Sequence, residues 1–116
     1  MSPYLFQWVY KDSSIKALID KPHDRQAQLK KAVEGFGGTL QQFFFAFGDW
    51  DGFALVEFPD AESCSACSMT LAASGVNAAF KTTVLIAPDE GGRAIRRASE
   101  GKTGYTSPVA LSGFPA

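Results

Sequence analysis

The sequence predicts one α+β domain, and three observations lead to that prediction. Its 116 residues can bury one hydrophobic core but not two. Apolar runs and segments with helical signals follow one another in the order strand, helix, strand, strand, helix, strand. A Gly-Asp-Trp-Asp turn at residues 48–51 joins the two middle strands into a hairpin. This order predicts the ferredoxin-like βαββαβ fold, a four-stranded antiparallel sheet with its helices on one face.

The first half of the chain begins with an aromatic strand and continues into a helix. Residues 4–10 alternate so that one face carries Tyr4, Phe6, Trp8 and Tyr10, and the other Leu5, Gln7 and Val9. A short helical turn is expected over residues 15–19. A longer helix begins after Asp24, a candidate N-cap, and ends in a glycine-rich stretch at residues 35–38. Its apolar stripe centres on Val33, and Arg25 is expected to face outward.

The second half of the chain supplies the other three strands. Strands are predicted over residues 39–47, 52–58 and 77–87, with a helix over residues 61–74 that begins after Pro59-Asp60. In the second strand, Leu40, Gln42 and Phe44 share one face and Phe43 and Phe45 the other. A further helix is expected from Pro88 to about residue 98, and the chain from Gly101 onward reads as irregular. These boundaries predict a core domain at residues 3–88 and a C-terminal extension at residues 89–116.

The first three strands are apolar or aromatic on both faces. Because helices cover only one face of this sheet, the other face of an isolated domain would normally be polar. A second copy related by a two-fold axis would cover such a face economically. We therefore expect a homodimer or higher homo-oligomer in which two sheets pack together as a dimeric α+β barrel.

The hairpin also carries a family resemblance. Gly48-Asp49-Trp50-Asp51 resembles the Gly-x-Tyr-Asp signature of the GYD domain family. The resemblance spans residues 3–88 and includes Phe36-Gly37-Gly38 and Pro59-Asp60. Trp50 stands where the family has tyrosine, so the aromatic ring is kept and the phenolic hydroxyl is lost. The resemblance implies the fold of the dimeric α+β barrel superfamily and self-association, but no defined reaction.

Several aromatic residues and one acid are candidates for ligand binding. A cavity left between two aromatic sheets would bind a small apolar or aromatic molecule. For Trp50 and Asp51 a structural alternative stays open, in which Asp51 accepts backbone hydrogen bonds in the turn and Trp50 packs on the partner chain. The candidate ligand-binding residues are Tyr4, Trp8, Phe43, Phe45, Trp50 and Asp51.

His23 is the only histidine and a candidate general base, with Asp51 as a second catalytic candidate. The alternative stays open that His23 is simply solvated, as a lone histidine in a loop usually is. The barrel superfamily that the chain resembles includes small monooxygenases and isomerases, which implies a cofactor-independent enzyme as the alternative function. Asp51 or Tyr4 would then position the substrate. Asp24 follows His23 directly, but adjacent side chains diverge and its position favours the helix cap. Whether the protein is an enzyme stays open at this point.

Cys64 and Cys67 form a C-x-x-C motif inside the second long helix. Redox motifs of this form lie at a helix N-terminus, whereas this pair lies about one turn inside. Buried packing is the favoured interpretation, and thiol redox chemistry is the alternative. With no further ligand pair or second histidine, the sequence predicts no metal site and no cofactor.

Charge and hydropathy exclude two classes of partner. The chain has 11 basic and 12 acidic residues, a net charge of −1, so no general attraction to nucleic acid or to an anionic membrane is expected. No apolar run approaches the ~20 residues of a membrane span. The absence of a secretory signal and the two thiols predict a cytoplasmic protein.

Overall fold

The computed structural model describes residues 1–101 and 103–112. The chain divides into two compact units. The first covers Met1–Ile86, and the second begins at Ala87. Lys102 and residues 113–116, which belong to the predicted extension at residues 89–116, lie outside the described residues.

The first unit contains four strands and three helices. They run in the order β1 (Ser2–Tyr10), α1 (Asp12–Asp20), α2 (Arg25–Gly35), β2 (Thr39–Phe45), β3 (Gly52–Phe58), α3 (Ala61–Ala73) and β4 (Asn77–Val84). The sheet is antiparallel throughout, with the strand order β2-β3-β1-β4. The predicted ferredoxin-like fold is therefore confirmed, and β1 is one of its two central strands.

Side-chain caps begin the two long helices of this unit. The carboxylate of Asp24 accepts the amide of Ala27 at 3.0 Å, and that of Asp60 accepts the amide of Ser63 at 2.7 Å. Hydrogen bonds from Ser63 hold the pKa of Asp60 below its ordinary value. Gly37, with φ +78°, ends α2, because this left-handed backbone costs glycine nothing.

The aromatic face of β1 forms the centre of the core. Its residues Tyr4, Phe6, Trp8 and Tyr10 are all at most 8% exposed. They pack against Leu29 and Val33 of α2, Val56 and Phe58 of β3, and Cys64 and Cys67 of α3. The indole of Trp8 lies directly over Gly52, where a Cβ atom would overlap the ring. Gly52 is thus required by the bulk of Trp8.

A bulge in β2 changes which of its residues share a face. The register shifts between Leu40 and Gln42, so that Leu40 lies opposite Val56 and Phe43 opposite Ala54. Leu40 therefore joins Phe43 on the helix-covered face, and the prediction that grouped it with Gln42 and Phe44 is wrong. One extra residue in a strand reverses the alternation beyond it, which strict alternation along the sequence does not anticipate.

The second unit begins with α4 (Pro88–Glu100) and contains a short helix, α5 (Pro108–Ser112). Asp89 and Glu90 occupy the first turn of α4, where acidic side chains are favourable. The predicted irregular chain after Gly101 is wrong for α5, because the hydroxyl of Ser107 accepts the amide of Ala110 at 3.1 Å and so starts a helical turn. Within the described residues, the helices are too short or too polar to span a membrane.

Candidate functional site

Three neighbouring cavities lie between the helices and one end of the sheet, within the described residues of the first unit. They measure about 150, 130 and 410 Å³. Tyr10 and Arg25 line all three. This end of the fold is therefore the candidate site, and its geometry follows from the ends of β1 and α2.

The 150 Å³ cavity, named here the aromatic cavity, is walled by rings from three strands. Trp8, Phe43 and Phe80 line it, with Leu29 of α2 and Leu71 of α3 opposite. The Trp8 and Phe43 rings lie 5.6 Å apart at an angle of 43°. Such a wall favours a ligand that contains a flat aromatic ring.

Two buried polar atoms beside this wall have no hydrogen-bond partner among the described residues. They are the indole nitrogen Nε1 of Trp8, a donor, and the amide oxygen Oδ1 of Asn77, an acceptor. Both residues line the aromatic cavity. Burying an unpaired polar group costs about 1–3 kcal/mol, and native proteins carry few of them. A molecule in the aromatic cavity would therefore lie close to one unpaired donor and one unpaired acceptor.

The 410 Å³ cavity opens between α1 and the end of β2. Ile15, Leu18 and Ile19 line it from α1, and Phe45 and Phe47 from the other side. The Phe45 and Phe47 rings stack at 6.2 Å and are 51% and 84% exposed. Two stacked rings in this much solvent make the rim of the site apolar.

His23 and Arg25 lie together where the cavities meet. Arg25 Nη1 donates to His23 Nε2 at 3.0 Å, and His23 Nδ1 donates to the carbonyl of Lys21 at 3.2 Å. In this arrangement the imidazole is neutral, because Nε2 must offer a lone pair. His23 lines two of the cavities but is itself exposed.

Arg25 is a site residue that the sequence analysis missed, because it was expected to face outward. It is half-buried and lines every one of these cavities. The spacing contained the signal, since Arg25, Leu29 and Val33 recur every four residues and so share one face of α2.

Asp51 holds the end of β1 to the start of β3. Its carboxylate Oδ2 accepts the amide of Tyr10 at 2.8 Å, and its own amide donates to the carbonyl of Trp8 at 2.8 Å. The backbone pairing of β1 with β3 ends at Trp8 opposite Gly52, so the Asp51 side chain continues the hydrogen bonding between these strands as far as Tyr10. Trp50 is half-buried in the loop and lines none of the three cavities.

Four predicted ligand-binding residues lie on the opposite face from the one expected. Trp8, Phe43 and Phe45 point toward the helices, and so does Tyr4, which stacks edge-on against Phe58 at 6.0 Å. Their expected place in a cavity between two sheets is therefore wrong. Both faces of β1 are apolar, so alternation alone could not tell which one the helices cover. Tyr4 lies at the far end of β1, away from the three cavities.

The C-x-x-C thiols are buried in the core of the first unit. Cys64 is 2% exposed and Cys67 is fully buried. Burial raises the pKa of both thiols, that of Cys67 to about 11. Neither is therefore a thiolate at neutral pH, which disfavours redox chemistry. Among the described residues, no three His, Cys, Asp or Glu side chains come together as a metal site.

Comparisons with known proteins give a family and a similar fold. A family model described as "GYD domain" matches residues 4–95. No curated protein matches the chain. Among solved structures it is similar to 5-chloro-2-hydroxyhydroquinone dehydrochlorinase (TftG) from Burkholderia phenoliruptrix AC1100, in complex with 2,5-dihydroxybenzoquinone. The TM-score is 0.50 at 15% identity, over 75% of this chain and 96% of that chain. At this identity the likeness shows the fold alone.

Replacing Asp51 by alanine should lower the free energy of unfolding by about 1–3 kcal/mol, because the amide of Tyr10 then loses its acceptor. Asp49→Ala is the matched control, since Asp49 is exposed in the same turn. Urea denaturation measures both variants, and hydrogen exchange should show faster opening at Tyr10 only for Asp51→Ala. Equal losses in the two variants would show that the carboxylate does not hold the strands together.

The buried thiols should make the protein less stable at high pH. The folded chain keeps the Cys67 proton up to about pH 11, whereas the unfolded chain releases it near its ordinary pKa of about 9. As the pH rises from about 9 to 11, loss of the Cys67 proton stabilises the unfolded state but not the folded one. The free energy of unfolding therefore falls over this range. Urea midpoints across this range should fall less steeply in Cys67→Ala. Ready reaction of the native thiols with a disulfide reagent at pH 8 would contradict the assigned burial.

Proposed function

The chain belongs to the GYD domain family, and we propose that it binds a small aromatic molecule in the aromatic cavity. The observation that carries this proposal is a cavity of about 150 Å³ walled by the rings of Trp8, Phe43 and Phe80. Two unpartnered polar atoms, Trp8 Nε1 and Asn77 Oδ1, belong to residues of the same wall. The ligand lies between the helices and the sheet in this proposal, and not between two sheets as the sequence suggested.

The size of the cavity supports a single ring. A dry cavity of about 150 Å³ holds a molecule as large as benzene, and the aromatic cavity has this volume. Arg25 and Tyr10 also line the larger cavity, which would offer space for ring substituents beside them.

The polar atoms suggest the substituents of that ring. Trp8 Nε1 would donate to an oxygen of the ligand, and Asn77 Oδ1 would accept from a hydroxyl or amide group. The structurally similar TftG was solved with 2,5-dihydroxybenzoquinone, a ring that carries both kinds of group. A hydroxylated or carbonyl-bearing ring is therefore the ligand class that we propose.

Binding is better supported than catalysis by His23. The lone pair of His23 Nε2 already accepts a hydrogen bond from Arg25, so a general base would need Arg25 to move away first. The carboxylate of Asp51 is likewise committed to the amide of Tyr10. A cofactor-independent monooxygenase or isomerase remains the alternative, and it requires both groups to be released.

We also propose that two copies associate through the second sheet face, which is the face turned away from α1, α2 and α3. It carries apolar side chains from neighbouring strands, among them Leu5, Leu55 and Phe53, and Phe44, which is 58% exposed. Glu57 and Lys81 add one charge of each sign. A face of this kind is self-complementary about a two-fold axis, and pairing two copies would remove its apolar area from water.

Benzamide, which has one acceptor and one donor on a ring, should bind and shift the indole N–H signal of Trp8 in an ¹⁵N-labelled sample. The indole of Trp50 is the internal control and should not move. Gln28→Trp should weaken binding at least tenfold, because Gln28 lines the cavity and a large ring there fills apolar space. Gln26→Trp, exposed on the same helix, should bind normally. If benzamide moves neither indole signal, the proposed cavity is not a binding site.

Sedimentation at micromolar concentration should give twice the 12.5 kDa mass of the chain. Leu55→Lys should produce monomers, because it buries two charges at the centre of the proposed interface. Met69→Lys, at an exposed position on α3, should leave the dimer intact. An unsubstituted chain that sediments as a monomer would refute this association and leave the ligand proposal untouched.

A further inference from the structure

We propose that the ligand of the aromatic cavity carries a negative charge, as a ring carboxylate or phenolate, and that Arg25 binds the charged oxygen. This inference rests on the proposed function and specifies the class of ligand. Its basis is Arg25, a half-buried residue that lines every cavity of the site and whose guanidinium has no acidic partner among the described residues.

Arg25 is the one charged side chain among the described residues that line the aromatic cavity. The ion pairs found in the described residues join Lys16 to Asp20, Lys30 to Glu34 and Arg93 to Asp89, and none includes Arg25. A partly exposed Arg packs its apolar stem on the protein and keeps its charged head group open to other partners. Arg25 therefore presents an unneutralised positive charge to the cavities.

The contact that Arg25 does make orients it without neutralising it. Its Nη1 donates to neutral His23, which in turn is fixed by the carbonyl of Lys21. A guanidinium has five N–H donors, so this bond leaves most of them available. His23 is on this view a positioning residue that holds the fork of Arg25 at the cavity mouth.

The surroundings increase the effect of this charge. The acid nearest in sequence is Asp24, and its carboxylate is turned onto the amide of Ala27 to cap α2. The first turn of α2 contains no acidic residue. The apolar lining of the cavity also screens charges less than water does, so that attraction between Arg25 and an anion is stronger there than at an open surface.

These positions define how an anionic ring would be held. The ring would lie against Trp8 and Phe43, and its charged oxygens would reach the Arg25 fork, which matches a carboxylate geometrically. A neutral ring would gain the aromatic contacts alone. The site should therefore distinguish an aromatic acid from its neutral isostere.

Benzoate and benzamide test this, because they have nearly the same shape and differ in charge. A hydrogen bond to a charged group is worth about 1.5–3 kcal/mol, so benzoate should bind at least tenfold more tightly than benzamide. Arg25→Gln should abolish this preference, so that benzoate and benzamide bind the variant with similar affinity. Lys31→Gln makes the same change of charge at an exposed position on α2 and should keep the preference. Titrations followed at the Trp8 indole signal give all the affinities.

The possible outcomes separate this inference from the proposed function. Equal affinity of the unsubstituted chain for benzoate and benzamide would overturn the inference. This measurement uses no variant, so it does not depend on whether Arg25→Gln folds. A benzoate preference that survives in Arg25→Gln also overturns it, since the charge would then be recognised elsewhere. If neither probe binds the unsubstituted chain, the proposed function fails and the inference fails with it.

Discussion

The contact of the Trp8 indole with Gly52 is the constraint on which the rest of the structure depends. Because Gly52 has no side chain, the largest ring of β1 lies flat on β3 and is buried there. Asp51, the residue before Gly52, then reaches the amide of Tyr10 and secures the end of β1. The hairpin motif that introduces β3 therefore positions the strand that carries most of the core.

The aromatic face of β1 is packed differently at its two ends. Around Tyr4 and Phe6, Phe58 and the small side chains of Cys64 and Cys67 fill the space against α3. Around Trp8 and Tyr10 the three cavities open instead. One strand thus provides a sealed half of the core, which supports the fold, and an open half, which is available to a ligand.

Polar groups follow the same division. The carboxylates of Asp24, Asp51 and Asp60 each accept a backbone amide, so their hydrogen-bonding roles are structural. The groups that lack such partners among the described residues, Trp8 Nε1 and Asn77 Oδ1, belong to residues that line the aromatic cavity. Arg25 lines it too and has no acidic partner among those residues. Polar groups with hydrogen-bond partners thus stabilise the fold, whereas those without partners belong to residues that line the candidate site. This is expected where a ligand supplies the missing partners.

The order of the elements, the caps at Asp24 and Asp60 and the hairpin at residues 48–51 were determined by the sequence alone, because each depends on residues close together in the chain. The face of β1 that the helices cover was decided only by the tertiary structure, since both faces are apolar and alternation cannot rank them. The bulge after Leu40 was also decided there, by strand register. Such features depend on contacts between distant segments, and local sequence patterns do not contain them.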